Sequence, residues 1–339
     1  MKSFLFKAAR SLFFLAIGIV LLIFAFRGVS LEDLTDSLKR ANFFWVGLTL
    51  LFAFVGYVSR AYRWKLLIKP LNYDPPLTNV FYALMIGYTA NFAFPRVGEI
   101  TRCGTLRKSD KIPLDSLLGT VIIERAIDLL VLIIIVMGVF FLKMDFFGAF
   151  LSNNVFKPTM RELMDLFHLS SVWNWLVLIF IFVALYFLLK YLNRRFSSNI
   201  FLKKLKQIIR GVIRGVKTIA RMKDRWKFIF HTIIIWVMYF LMTYFLVFAF
   251  QSTSHLEPID GLFLLVIGGI GMSAPVQGGI GVFHWINTLG LTVLYEIPKA
   301  EAVAYATVSH ESQSILAILL GGVSFLLLSI NKKKNNALK

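Results

Sequence analysis

Three charged residues lie inside one of the most apolar stretches of the sequence. The stretch 116–142 contains Glu124, Arg125 and Asp128. An ionisable side chain near the bilayer centre costs about 2.5–3.5 kcal/mol on insertion scales, so these groups need partners or a water-filled site. Residues three or four apart share a helix face, so Asp128 lies beside Glu124 and can pair with Arg125. One negative charge remains, and we expect an arginine from elsewhere to compensate it.

A neighbouring stretch, 78–115, offers such arginines and is broken by Pro95 and by glycines. Arg96 and Arg102 lie in its middle. A guanidinium group binds phosphate through two parallel hydrogen bonds and stays charged when dehydrated. We therefore predict that both arginines contact an anionic headgroup; the alternative is an internal ion-pair network that only holds the segment in place. Three carboxylates are predicted to position the arginines: Glu99, Glu124 and Asp128.

A second apolar stretch, 261–295, is broken in the same way. Its motif SAPVQGG at 273–279 is similar to AFPRVGE at 93–99 in the first broken stretch. Proline removes a helical donor and clashes with the preceding turn, so a break is expected at both motifs. A helix that restarts after the glycines points free N–H groups and its positive end at the same cavity. The predicted hinges are Pro95, Gly98, Pro275 and Gly281, and further predicted contacts to the ligand are Asn91, Arg125, Ser273, Gly278 and Gly279. For Asn91 and Ser273, capping of the broken helices is an equally good interpretation.

The polar residues of the second half indicate a function less clearly. His284, His310, Glu311 and Gln313 fall within apolar stretches. The spacing of the histidines and the glutamate fits no common metal-binding pattern, so neither a metal site nor a cofactor is predicted. Buried hydrogen bonding is the default interpretation, and coupling or ion pairing through His310 and Glu311 is the alternative. Cys103 is the single cysteine, and we expect it to pack as a small side chain.

The composition excludes a soluble globular protein. Of 339 residues, 58% are hydrophobic and 16% are charged, against about 45–50% and 25% in soluble domains. A mean hydropathy of +0.73 is too high for a fold that hides its apolar surface only in an interior. The formal net charge of +19 is then typical of cytoplasmic loops near anionic lipid rather than of nucleic-acid binding. The sequence predicts an all-α polytopic membrane protein.

Basic segments determine the predicted topology. The segment 190–227 is rich in Lys and Arg, and the positive-inside rule places it in the cytoplasm together with both termini. The same rule places the basic cluster after the second crossing there: Arg60, Arg63, Lys65 and Lys69. This requires about six full crossings and two re-entrant hairpins, 78–115 from the cytoplasm and 261–295 from outside. Irregular backbone at membrane depth is tolerated where it is buried or lines a cavity. The predicted crossings are 11–26, 43–59, 116–142, 172–190, 228–250 and 300–330.

This order of elements is an inverted repeat. Each half reads helix, helix, broken hairpin, helix, and interrupted segments at corresponding places indicate a transporter's binding site. A single transmembrane domain is predicted over 1–331, with a first half at 1–142, a second half at 165–331 and a basic cytoplasmic tail at 332–339. In the second half, 199–222 alternates apolar and basic faces at helical spacing, which predicts an amphipathic helix on the cytoplasmic leaflet.

Four motifs resemble one family of membrane proteins. They are RAYRWKLLIKP at 60–70, NFAFPRVGEITRCGTLRK at 91–108, TVIIERAIDLLVL at 120–132 and SAPVQGGIGVFHW at 273–285. Over nearly the whole chain, the sequence resembles the flippase-like transmembrane family related to the membrane region of lysylphosphatidylglycerol synthases. His284 is a departure, because relatives often carry Glu there. Carried over position by position, the resemblance assigns functional positions to Asn91, Pro95, Arg96, Gly98, Glu99, Arg102, Glu124, Arg125, Asp128, Ser273, Pro275, Gly278, Gly279 and Gly281.

What the resemblance implies is movement of a lipid or a lipid-linked group between leaflets. The chain ends soon after its last predicted helix, so we expect no aminoacyl transfer. The leading prediction is a flippase or transporter of the bacterial inner membrane that is passive or ion-coupled, with membrane lipids as partners and an undetermined oligomeric state. One alternative is a membrane glycosyltransferase acting on polyprenyl-phosphate substrates, although the sequence lacks Asp-x-Asp. Another is a scaffold that acts through the basic segment 190–227.

Overall fold

The computed structural model describes residues 2–143 and 200–337, and its regular elements in those ranges are all helical. This confirms the all-α fold class for the described residues, while the predicted crossing 172–190 lies outside them. A short 3-10 turn, Gln277–Gly279, separates two of the later helices. In chain order the helices are α1 (Lys2–Phe26), α2 (Leu31–Arg40), α3 (Phe43–Ile68), α4 (Leu77–Ala93), α5 (Gly98–Asp110), α6 (Leu114–Leu142), α7 (Ile200–Arg221), α8 (Arg225–Leu246), α9 (Pro258–Ser273), α10 (Val282–Leu294) and α11 (Lys299–Ala337).

Several helical segments in the described ranges are long and apolar enough to cross a membrane. Four qualify by themselves: Phe43–Leu71, Leu114–Leu142, Arg225–Ala249 and Lys299–Ile330. A fifth arises if Phe13–Phe26 and Leu31–Arg40, a pair bent by 81°, are taken as one span. Large apolar side chains on these helices are exposed, as expected for surfaces that face lipid. The chain is therefore a polytopic membrane protein.

Both predicted helix breaks are present. Helix α4 ends at Ala93 and α5 begins at Gly98, while α9 ends at Ser273 and α10 begins at Val282. In the first break Arg96 has a φ of 62°, in the left-handed region that residues with a side chain rarely adopt. This turn brings α5 back against α4.

Glycine allows backbones to touch at both breaks. A Cβ atom at Gly98 would collide with the Gly87 carbonyl oxygen of α4 and with the Asn91 side chain. Asn91 Oδ1 accepts a hydrogen bond of 2.7 Å from the Gly98 N–H, which satisfies a free donor in the first turn of α5. Gly281, with a φ of 82°, likewise lies against the Gly18 carbonyl oxygen of α1. Two of the predicted hinge positions are thus places where only glycine fits.

Helices α3 and α8 pack along each other at the centre of the described structure. Around them, α4 lies against α11, α9 lies against α6, and α10 contacts α1, α9 and α11. One core cluster includes Trp64, Leu84 and Cys103, which confirms the expected packing role of the single cysteine. A second cluster, which includes Leu264 and Tyr305, joins α8 to the later helices.

The two ends of this helix bundle differ in charge. At one end the Asn42 N–H donates to the Ala249 carbonyl oxygen at 2.8 Å, and Lys143 pairs with Asp260 at 2.7 Å. At the other end an apolar cluster that includes Leu66 joins α3 to α6, α7 and α8. Basic residues concentrate at this second end: Lys65, Lys69, Arg107, Lys108, Lys111, Lys217, Arg221, Lys223, Arg225 and Lys227. We call it the basic end.

Lysines at the basic end hold two carboxylates. Lys65 Nζ lies 3.0 Å from Asp74 Oδ1, and Lys227 Nζ lies 2.9 Å from Asp224 Oδ1. The hydrogen bond from each lysine holds the pKa of its carboxyl group below the ordinary value. Both carboxylates therefore stay ionised at neutral pH, and the basic surface is partly balanced by fixed partners.

We expect Gly98→Ala to destabilise the fold, in contrast to Gly104→Ala on the same helix. The new Cβ at position 98 collides with Gly87 and Asn91, whereas a Cβ at Gly104 meets no atom within 4 Å. Overpacking costs about 1–3 kcal/mol, while Ala in place of Gly inside a helix gains about 0.5–1 kcal/mol. Thermal unfolding in detergent micelles, followed by tryptophan fluorescence, measures both. Equal midpoints for the two variants would contradict the close backbone contact.

Candidate functional site

A buried carboxylate on α6 is the centre of the candidate site. Glu124 is 0% exposed, and three guanidinium groups donate to it. Oε1 accepts from Arg60 Nη2 at 2.8 Å and from Arg63 Nη2 at 3.4 Å. Oε2 accepts from Arg102 Nη2 at 3.0 Å. The arginines are themselves buried. Because α3 supplies two of them and α5 supplies the third, Glu124 connects three helices.

Asp128 lies one turn further along the same face of α6 and completes the pairing. Arg63 binds it through two parallel bonds, from Nη1 to Oδ1 at 2.7 Å and from Nη2 to Oδ2 at 3.0 Å. Arg60 Nη1 donates to the Tyr239 hydroxyl of α8 at 2.6 Å. Two facing stripes of opposite charge therefore meet, since both the arginines on α3 and the carboxylates on α6 have the spacing of one helix face. We call Arg60, Arg63, Arg102, Glu124 and Asp128 the arginine cluster.

Aromatic rings lie against the guanidinium groups of the arginine cluster. Arg102 Cζ is 4.5 Å from the centroid of the Trp64 ring, and Arg60 Cζ is 5.5 Å from that of Tyr88. Cation–π contacts of this kind are stronger when they are desolvated. Trp64 is itself fixed by a hydrogen bond of 2.9 Å from Nε1 to Thr120 Oγ1. The guanidinium planes are therefore held in place by packing as well as by charge.

The arginine cluster carries more positive charge than its own acids balance. Three arginines face two carboxylates, which leaves one net positive charge. Among the described residues, Nε of each of these arginines and Nη1 of Arg102 have no hydrogen-bond partner. A buried donor without a partner costs about 1–3 kcal/mol. This arrangement favours the binding of an additional anion.

A small cavity at the first helix break lies beside Arg102. It offers about 10 Å³ to the centre of a water molecule, enough for about one water. An ion pair of 2.9 Å between Glu99 and Arg125 forms its partly exposed rim, with side chains 28% and 48% exposed. A larger anion can enter only if this rim opens. The cavity is lined by Gly87, Tyr88, Asn91, Gly98, Glu99, Arg102 and Arg125.

The two helix breaks contact each other. Arg96 is exposed, and its Nη2 donates to the Ser273 carbonyl oxygen at 3.1 Å. Gly278 has a φ of 57° and lies against the ring of Phe92, where a Cβ would come within 2.6 Å of a ring carbon. Arg96 and Ser273 thus link the break after α4 to the break after α9. The same two breaks contain Pro95, Pro275 and Gly279.

Of the two pairings expected for the charges on α6, one is confirmed and the other is wrong. Arg102 supplies the positive charge that Glu124 lacks, which confirms the expectation of an arginine from the broken segment. The expected pair of Arg125 with Asp128 is wrong, because Arg125 reaches Glu99 on α5 and Asp128 binds an arginine of α3. A bidentate bond to a buried guanidinium is stronger than a single bond to a neighbour on the same helix.

Sequence reasoning missed Arg60 and Arg63. Both were expected in a cytoplasmic basic cluster beyond the end of a crossing, but α3 continues to Ile68 and buries them. A signal was present in the sequence. Arg60 and Arg63 are three residues apart on α3, and Glu124 and Asp128 are four residues apart on α6. Either spacing places both members of a pair on one helix face, so two faces of opposite charge can meet.

Three polar residues of the second half also come together. His284 of α10 and His310 and Glu311 of α11 have side-chain donor atoms within 4.8 Å of one another. Both histidines are buried, and Glu311 is half-buried. This cluster could not be recognised in the sequence, because His284 is far from His310 and Glu311 along the chain. Only the packing of α10 on α11 brings the three residues together.

Comparison with known proteins gives matches along nearly the whole chain. Residues 11–321 match the family model described as the lysylphosphatidylglycerol synthase TM region. A UPF0104 membrane protein of Methanocaldococcus jannaschii is 22% identical over 348 residues, covering 97% of this chain and 98% of that protein. No solved structure matches the chain. The matched ranges include both helix breaks and every residue of the arginine cluster.

We expect Glu124→Gln to destabilise the protein strongly and Glu99→Gln to change its stability little. Loss of the Glu124 charge leaves Arg102 without its counter-ion and leaves Asp128 to balance the three buried arginines, and breaking a buried pair costs about 3–5 kcal/mol. The pair of Glu99 with Arg125 is partly exposed, and such pairs contribute about 0–1 kcal/mol. Unfolding of both variants in the same detergent gives the comparison. Equal stabilities would show that Glu124 does not hold the three helices together.

Proposed function

Because the chain belongs to the family of the lysylphosphatidylglycerol synthase transmembrane region, we propose that it is a lipid flippase or transporter. In this proposal it binds an anionic phospholipid or an anionic lipid-linked group and moves it between leaflets. Its partners are the lipids of the membrane, and it takes no part in nucleic-acid binding. Membership of the family by itself indicates a lipid-related function in a membrane.

The observation that carries the proposal is the unpaired positive charge beside the cavity. Arg102 lines the cavity, and its Nε and Nη1 have no partner within the described part of the chain. A phosphate group accepts several charge-assisted hydrogen bonds at once, which matches these donors. In the proposed complex Arg102 contacts the phosphate, Asn91 and Arg125 lie at its edge, and the carboxylates of α6 hold the arginines in position.

The rim of the cavity provides a way to couple binding to opening. Glu99 and Arg125 form a partly exposed ion pair, and such a pair is inexpensive to break. An arriving phosphate replaces Glu99 as the partner of Arg125, so the rim opens as the headgroup enters. The acyl chains remain in the surrounding lipid, since the cavity has no room for them.

We also propose that the broken helix pairs are re-entrant hairpins of an inverted repeat, beside about six full crossings. Helices α4 and α9 have 17 and 16 residues, which is about 25 Å at 1.5 Å per residue. A hydrocarbon core is about 30 Å thick, so neither crosses it alone. The packing is reciprocal, because α4 lies against α11 while its proposed counterpart α9 lies against α6. Rocking of the two halves would then expose the site to each face in turn.

The basic end faces the cytoplasm in this proposal, at the inner membrane of a bacterium. The positive-inside rule supports this orientation. Helix α1 ends and α11 begins at the opposite end, where Lys299 Nζ donates to the Arg27 carbonyl oxygen at 2.5 Å. Both termini then lie in the cytoplasm. Helix α7, which covers most of the predicted amphipathic segment 199–222, lies at the cytoplasmic surface.

The driving force is passive or comes from an ion gradient. The sequence contains no P-loop motif for a nucleoside triphosphate. His310 and Glu311, whose side chains approach to 2.9 Å, are the proposed place for ion coupling.

A glycosyltransferase acting on a polyprenyl-phosphate substrate is the second candidate, because the arginine cluster suits its phosphate as well. Such an enzyme needs a free carboxylate base or a metal ion beside the substrate. The carboxylates of the arginine cluster are bound by arginines, so their oxygens already accept hydrogen bonds from other groups of the protein. The transporter is therefore preferred.

Purified protein in liposomes is expected to accelerate the transbilayer movement of a labelled anionic phospholipid. Arg102→Gln should slow this movement about tenfold, since a hydrogen bond to a charged group contributes about 1.5–3 kcal/mol. Arg107→Gln is the matched control, because it removes an exposed charge from the same helix. Anionic, zwitterionic and polyprenyl lipids are compared in the same assay.

Two results would end the transporter proposal. One is that no lipid class moves faster than in protein-free liposomes while no headgroup raises the unfolding temperature. The other is equal rates for Arg102→Gln and wild type when both are folded, which would remove the cavity from the mechanism. A new glycolipid formed from a polyprenyl-phosphate sugar would support the enzyme instead.

Cysteines placed at opposite ends of the bundle should react from opposite sides of the membrane. We expect a membrane-impermeant maleimide to label Ser254→Cys in intact cells and to label Lys223→Cys only after the membrane is opened. Both positions are exposed, and the native Cys103 is buried. Labelling of Lys223→Cys in intact cells would reverse the proposed orientation.

A further inference from the structure

The second helix break is fastened to α11 by a histidine. His310 Nε2 lies 2.8 Å from the Gly278 carbonyl oxygen, and His310 Nδ1 lies 2.9 Å from Glu311 Oε1. A carbonyl oxygen only accepts, so His310 must donate from Nε2. In the neutral imidazole Nδ1 then carries a lone pair that faces a carboxylate oxygen. Two acceptors at this distance need a cation or a proton between them.

His284 adds a third ligand atom from α10. Its Nε2 lies 3.6 Å from the same Glu311 Oε1, which is too long for a hydrogen bond. The residue is 2% exposed, and its Nδ1 has no partner among the described residues. A buried imidazole without a hydrogen bond is unfavourable. A metal bond to Nε2 would give the ring a polar partner.

We propose that His284, His310 and Glu311 bind a divalent transition-metal cation, with Zn²⁺ as the best match. Tetrahedral Zn²⁺ has ligand bonds of about 2.0–2.1 Å, which places neighbouring ligand atoms about 3.3 Å apart. The distances of 2.9 Å and 3.6 Å to Glu311 Oε1 lie on either side of that value. Two histidines and one carboxylate leave a fourth position for water or a ligand oxygen.

The surroundings of His310 match those of a metal-ligating histidine. A ligating histidine usually donates its other N–H to a backbone carbonyl or a carboxylate, which fixes the ring. His310 does this with Gly278. The Glu311 side chain is 43% exposed, so an ion has a path to the site. The bound cation would tie α10 and the glycine turn to α11. It would also occupy the two residues proposed above for ion coupling, so the metal site is tested by binding and not by lipid movement.

Metal binding to the purified full-length protein tests this proposal. After removal of metals with a chelator, the protein is equilibrated with Zn²⁺ or Co²⁺, and bound metal is measured by mass spectrometry and, for Co²⁺, by its visible absorption. We expect one metal ion per chain and a higher unfolding temperature. His284→Ala and Glu311→Gln should weaken binding at least about 100-fold, since even outer partners of a metal cost 10–100-fold.

The exposed His255 provides the matched control, because His255→Ala removes a histidine outside the cluster and should bind metal like wild type. Glu311→Gln preserves size at a half-buried position, so it tests ligation even if His284→Ala fails to fold. Absence of stoichiometric metal in wild type would overturn the proposal and assign the contact between His310 and Glu311 to a proton. Full metal binding by folded Glu311→Gln would overturn it as well.

Discussion

A carboxylate buried within a long apolar helix has to be neutralised by the groups that fold around it, and Glu124 imposes this requirement on three helices. Its partners come from α3 and α5, so neither helix can move away from α6 without exposing a charge to an apolar surrounding. Much of the remaining arrangement follows from this constraint. Arg60 extends the network to α8 through its hydrogen bond to Tyr239, and Trp64 packs between Arg102 and Thr120.

The arginine cluster is compatible with both interpretations that the sequence left open. As an ion-pair network it fixes the first broken helix pair, because Arg102 on α5 is bound to Glu124. As an anion site it would offer guanidinium N–H donors that have no partner among the described residues in the present pairing. A rigid network is also a good binding site, because donors that packing already holds lose little entropy when a ligand arrives.

Patterns that depend on local chemistry were predictable from the sequence. Composition alone predicted a polytopic all-α membrane protein, and the proline and glycine motifs predicted both breaks. Arg102 was one of two arginines expected to compensate the charge on α6, because a charge in an apolar stretch needs a partner nearby. What failed was the assignment of basic residues at the end of α3, since the positive-inside rule counts charges without asking which of them are buried.

Residues that meet only through tertiary packing could not be found in this way. The expected pair of Arg125 with Asp128 used spacing within one helix, whereas the structure pairs each residue with a different helix. The cluster of His284, His310 and Glu311 could not be predicted for the same reason, because His284 and His310 belong to helices whose contact no local pattern encodes. Residue spacing gives the face of a helix, and it does not say which helix that face will meet.

The excess positive charge of the arginine cluster has an electrical consequence. A membrane potential of 100 mV changes the energy of each elementary charge that crosses it by about 2.3 kcal/mol. Displacement of the empty cluster along the membrane normal therefore does work in that field. A cluster that has bound a singly charged anion is neutral, so the same displacement does almost none. In the proposed transport cycle, voltage would therefore act on the return of the empty protein and not on the step that carries the anion.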